Sequence, residues 1–178
     1  MIRLPRRGLL GVLGLVPLAG CGFQPVYRRT ASGNPGPAAR ELTTIDVVLI
    51  PDRPGQLLRQ ALQQRLYGAS GEGTAQYDLG VFYWIAGEGI AVLPDTTSTA
   101  TRLIARANWT LTARDPGRTH VTDGSARAME TINIYNTQYF AADLEAEQVN
   151  ARLADQVADQ ITLRLAMFFR ARAGLGTG

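Results

Sequence analysis

Residues 99–114, TATRLIARANWTLTAR, alternate apolar and polar side chains along nearly their whole length. Leu103, Ala105, Ala107, Trp109, Leu111 and Ala113 share one parity, and Arg102, Ile104, Arg106, Asn108, Thr110, Thr112 and Arg114 share the other. Successive side chains of a strand point to opposite faces of a sheet, so this period predicts a long, half-buried antiparallel strand. One face goes to a core; the other is wet or meets a partner. A chain with such a strand must supply neighbouring strands and a layer to cover the apolar face.

The flanking sequence supplies both. LTTIDVVLIP, residues 42–51, is a β-branched run closed by Pro51 and reads as a first, mostly buried strand. In PGQLLRQALQQRLYG, Leu57, Leu58, Ala61, Leu62 and Leu66 recur at helical spacing and Gly68 stops the run. A helix of about fourteen residues is expected there, crossing back over the sheet. A second strand is expected from Tyr77 to Ala86, with Gly87 to Gly89 bulging or turning it. DPGRTH makes a turn, and GSARAMETINIYN reads as a fourth strand with Ala126, Ala128, Ile132 and Ile134 on one side. From Ala141 to Arg172 there is neither Gly nor Pro in the helical interior, and Leu144, Val149, Leu153, Val157, Ile161, Leu165 and Phe168 form one stripe. The order β-α-β-β-β-α predicts an α+β fold: a four-stranded sheet with two helices packed on one face.

The N-terminus has a different character. Arg3, Arg6 and Arg7 precede the uncharged stretch GLLGVLGLVPLA. A dozen residues of helix cover roughly 18 Å against a hydrocarbon core of about 30 Å, too little to span it. The pattern reads as a lipoprotein signal peptide over residues 1–20, followed by Cys21, the sole cysteine. Leu18-Ala19-Gly20-Cys21 resembles a bacterial lipobox, in which the thiol takes a diacylglycerol and the freed amine is acylated. Two or three acyl chains anchor firmly where one holds only marginally. Arg6-Arg7 leaves the Sec and Tat export routes both open. Residues 21–41 read as a lipidated end and flexible tether, rich in Pro, Gly, Ser and Asn from Thr30 to Pro37. Residues 42–172 are the folded domain, and 173–178 are a tail.

Three of the 18 basic residues precede Cys21, which leaves 15 against 15 acids. The clustered positive excess of a nucleic-acid binder is missing. Every base is Arg, which binds phosphates through two parallel hydrogen bonds. Catalytic groups are sparse. His120, the one histidine, lies in a turn-rich segment and reads as a solvated loop residue. No Cys-His dyad, ordinary zinc set or phosphate loop can be assembled, so neither enzyme activity, metal nor cofactor is expected. Asp143, Glu145, Glu147, Asp155 and Asp159 read as a solvated helix face.

Cys-Gly-Phe-Gln-Pro-Val-Tyr after the signal, this order of elements, and the terminus YNTQYFAADLEAEQVNARLADQVADQITLRL together resemble the LptE family of LPS-assembly lipoproteins. The resemblance implies a non-catalytic, lipid-anchored protein of the outer membrane. It would plug and help assemble an LptD-type β-barrel, and assist transport of lipopolysaccharide to the cell surface. Some members hold lipid A phosphates with bases on the hairpin between the second and third strands and just before the last helix. Here the hairpin reads VLPDTTSTATR, with Arg102 its only base, and Ala141-Ala142-Asp143 precede the helix. Arg102 and Arg106, together on one strand face, are the substitute that spacing offers for contact with ligand or partner. A periplasm-facing auxiliary lipoprotein of a lipid-transport ABC system is the other reading, and the polar strand face alone also suits simple contact with water.

Overall fold

A computed structural model describes residues 36–67, 73–92, 98–133 and 139–174. The elements are α1 (Pro37–Leu42), β1 (Ile45–Val47), α2 (Asp52–Tyr67), β2 (Tyr77–Val92), β3 (Ser98–Ala113), β4 (His120–Asn133) and α3 (Tyr139–Arg172). The four strands form one sheet in the order β1-β2-β3-β4. β1 runs parallel to β2 through the α2 crossover, and the other pairs are antiparallel. This is the α+β architecture that the periodicities predict, with α2 and α3 covering one face.

The core lies between that face and the helices. Ala105, Ala107, Trp109 and Leu111 of β3 are buried as expected, facing Leu79 of β2 and Ala126 and Ala128 of β4. Ile132 is half-buried on the same side, while Ile134 and Leu144 lie outside the residues whose side chains are described. On α3 the buried stripe is Val149, Leu153, Val157, Ile161 and Leu165, widened by Ala154, Ala158 and Ala166. Its last member is Phe169 rather than Phe168, because a 3.6-residue turn carries the stripe from Leu165 to the residue four places on. Phe169 packs on Tyr77 with ring centroids 5.4 Å apart, tying the end of α3 to the start of β2.

Several boundaries differ from the sequence expectation. β1 is three residues long, not ten. The run starts late because Thr43 and Thr44 turn their hydroxyls back to the carbonyls of Arg40 and Glu41, closing α1. It ends early because Leu49 swings out to 73 % exposure and Asp52 takes a positive φ of 64° to enter α2. Gly55 lets that turn close, since a Cβ there would sit 2.7 Å from Ile50 Cγ2. The folded unit also begins before residue 42: α1 occupies the end of the expected tether, with Pro at its start and Ala38 and Leu42 buried in the core. Finally, β2 continues through Gly87 to Val92, with register shifts around Ala91, so the glycines lie within the ladder and the irregularity follows Gly89.

The helix acids are more engaged than a solvated face implies. Arg65 of α2 reaches Asp159 at 2.6 Å and Asp155 at 3.1 Å, and Arg53 reaches Glu147 at 2.6 Å. The hydrogen bond that Arg65 Nε donates to Asp159 is the largest cause of a raised Arg65 pKa, with burial opposing it. The side chains of Asp143 and Glu145 lie outside the described residues.

Tyr83, on the inner face of β2, has a buried hydroxyl with no partner among the described residues. Burial pushes its pKa up from 10.0 to about 12. The fold therefore favours the neutral phenol: its contribution is complete below the ordinary tyrosine value and is lost as pH rises toward about 12. Tyr83→Phe should match the parent or exceed it by about 1 kcal/mol at neutral pH, because it deletes an unsatisfied polar group. In alkaline titrations followed by circular dichroism, the variant should outlast the parent above pH 10, the ordinary tyrosine value. Superimposable curves would show that the hydroxyl is solvated.

Candidate functional site

The face of the sheet turned away from the helices is built from the alternate residues of β2, β3 and β4. Register sets them in rows: Phe82, Asn108 and Ser125; Trp84, Arg106 and Arg127; Ala86, Ile104 and Met129; Glu88, Arg102 and Thr131. Arg102 and Arg106 therefore share one face, as spacing predicts, and both are exposed. Arg127 joins them from the neighbouring strand. The same residues would be scattered by a one-residue slip, since that turns every side chain over.

Charge is distributed unevenly along this face. At the β1 end, Arg114 spans Asp46 and Asp78, and Arg118 also reaches Asp78 at 3.0 Å. The bond to Asp78, then that to Asp46, raises the Arg114 pKa. That end is internally neutralised. Arg102, Arg106 and Arg127, by contrast, make no ion pair among the described residues; Arg127 Nη2 meets only Met129 Sδ, at 3.4 Å. Around these guanidiniums lie apolar groups left in solvent: Phe82 is 67 % exposed and Met129 53 %, and the Phe82 and Trp84 rings meet at 5.2 Å. Ile104, expected to be exposed with the polar residues, is 3 % exposed, in a row between Ala86 and Met129. The face is thus amphipathic rather than simply polar, and chemically suited to a partner that offers acids beside apolar surface.

His120 is the first residue of β4 rather than a loop residue, and its Nε2 lies 3.0 Å from Asp123 Oδ1, with both side chains exposed. Asp115, in the turn before it, accepts from the Thr119 hydroxyl and amide, and these bonds hold its pKa down. Neither residue belongs to a group of three or more His, Cys, Asp or Glu side chains able to hold a metal ion among the described residues. Cys21 lies outside the described residues. Sequence reasoning passed over Arg127, Phe82 and Trp84; the inward parity of Ala126 and Ala128 was the available sign for Arg127.

No curated protein sequence matches this chain. Among solved structures, a Caulobacter crescentus protein designated a lipoprotein superposes with a TM-score of 0.59 at 24 % identity, covering 74 % of this chain and 95 % of its own. The rare lipoprotein B of Shewanella oneidensis gives 0.51 at 13 % identity, covering 75 % and 98 %. A minor lipoprotein of Acinetobacter baumannii gives 0.51 at 14 % identity, covering 70 % and 91 %. At these identities the likeness is one of fold. Residues 42–165 match the family model described as LptE, lipopolysaccharide-assembly, which spans β1 through most of α3. The chain belongs to the LptE family of lipopolysaccharide-assembly proteins.

Proposed function

We propose that this protein is a non-enzymatic lipoprotein of the outer membrane, anchored through Cys21, that plugs and helps assemble an LptD-type β-barrel and assists lipopolysaccharide transport. Family membership supports the reading. The observation that carries it in this chain is the outer sheet face, where Arg102, Arg106 and Arg127 make no ion pair among the described residues and lie beside exposed apolar side chains. The lumen of a large barrel is polar and can seat such a domain. Lipid A phosphates or lumen carboxylates are the acids these guanidiniums would meet, each through charge-assisted bonds. No described helix is long and apolar enough to cross a membrane. The lipobox-like Leu18-Ala19-Gly20-Cys21 supports an anchor at Cys21. Cys21→Ser should abolish metabolic fatty-acid labelling and leave a larger precursor; persistent label would remove the anchor from the account.

The face itself is tested by Arg102→Gln with Arg106→Gln, which keeps polarity and removes charge. Exposed arginines without partners contribute little to stability, so circular dichroism and melting should be unchanged. Salt-sensitive lipopolysaccharide binding, co-purification of the barrel, or both should fall by at least roughly tenfold, the effect of losing one charge-assisted contact. Full retention of both would make this face an ordinary solvated surface.

A further inference from the structure

β4 is the last strand of the sheet, so one side of its backbone faces β3 and the other faces outward. In an antiparallel ladder, alternate residues turn both N–H and C=O to the same side. At Arg127 the outward side is already taken. Its N–H donates to Gln160 Oε1 at 3.2 Å, and its carbonyl accepts from Gln160 Nε2 at 2.9 Å. One side-chain amide thus makes both hydrogen bonds that a residue of a fifth strand would make. Its place on α3 is fixed by the fully buried Val157, Ala158 and Ile161 on either side.

The register with β3 runs unshifted from Asn133 to Thr122, so Asp123, Ser125, Met129 and Thr131 present their backbone groups outward as Arg127 does, apart from the irregularity that begins beyond Thr122. Among the described residues no strand pairs with this edge, and an unpaired edge of this length is a template for another strand. Antiparallel pairing of two copies about Ser125 sets Ser125 against Ser125. It also sets Asp123 of each copy opposite Arg127 of the other. All three residues are exposed, and opposite charges directly across an antiparallel pair are favourable.

We propose that the β4 edge is a self-pairing surface for a second copy of this chain, centred on Ser125, and that Gln160 is the latch that holds it closed. The amide occupies Arg127, and each dimer needs that residue twice. Pairing therefore requires two latches to open. The proposal stands on the β4 geometry alone, so a failed search for a barrel partner leaves it intact.

Cross-linking of the full chain in mild detergent tests it. Across an antiparallel hydrogen-bonded pair the Cα atoms are about 5.5 Å apart, within the range of about 4.4 to 6.8 Å that a disulfide bridges. Ser125→Cys is compared with Ser125→Cys carrying Gln160→Ala, and with Thr131→Cys carrying Gln160→Ala, which lies on the same edge outside the register. The chain without an added cysteine sets the background, and circular dichroism confirms that each variant is folded. Release of the latch should raise the rate of Ser125→Cys dimer formation at least roughly tenfold, from two lost hydrogen bonds per copy. The Thr131→Cys chain should stay at background. Equal rates with and without Gln160, equal cross-linking at the two positions, or no dimer in any variant would overturn the proposal.

Discussion

Leu153→Asp is expected to abolish the folded domain. Leu153 is fully buried between α3 and the sheet, as is Val157 one turn on. An unpaired buried charge costs several kcal/mol, against roughly 5 to 15 kcal/mol that holds a domain folded. Asp155 and Asp159 are only two to six residues from Leu153 in sequence, but both are more than half exposed and touch Arg65 at the surface. Exposed ion pairs contribute about 0 to 1 kcal/mol, so Asp155→Ala or Asp159→Ala should lower Tm by roughly 2 to 4 °C at most. Solubility and thermal melting of the four single variants, Val157→Asp included, separate the two faces. Equal losses at all four would mean that α3 presents a different face to the core.

The second large effect comes from a half-buried glycine that backs onto a core indole. Gly124 of β4 lies opposite Trp109 of β3, and a Cβ there would meet the indole at 2.7 Å from Cζ2 and 3.0 Å from Cε2. Trp109 is 3 % exposed and cannot swing into solvent without emptying the core. Gly124→Ala should therefore cost about 1 to 3 kcal/mol by overpacking. Without the ring the sign reverses, because alanine loses less backbone entropy than glycine in a strand. Trp109→Ala alone costs about 3 to 5 kcal/mol. Adding Gly124→Ala to it should be neutral or stabilising, and that coupling is the signature of direct contact. Denaturant melts of the four corners of the cycle give the coupling energy; additive losses would contradict the close approach.

Both predictions use positions that pattern alone made visible to different degrees. Leu153 was legible because a helix repeats its face every 3.6 residues regardless of what it packs on. The inward parity of Trp109 was legible for the same kind of reason in a strand. Its contact with Gly124 was not, since that depends on which β4 residue lies opposite. Ile104 shows the same limit: alternation assigned it to the wet face, yet it is buried in a row between Ala86 and Met129. β1 failed differently. A β-branched run states a preference for extended backbone, but a strand exists only where a neighbour offers hydrogen bonds, and Tyr77 to Leu79 offer three residues' worth. In the candidate site, Arg102 and Arg106 were readable from spacing within one strand. Arg127, Trp84 and Phe82 needed the register of three.

The proposed role, plugging a large outer-membrane barrel with Arg102, Arg106 and Arg127 meeting partner or lipid, has one direct test. Pull-down of the tagged full chain from membranes in mild detergent, followed by mass spectrometry, measures it directly. Recovery of an LptD-type β-barrel at close to one copy per copy of this chain is expected. Recovery of an inner-membrane ABC transporter in its place, with no barrel, would contradict it.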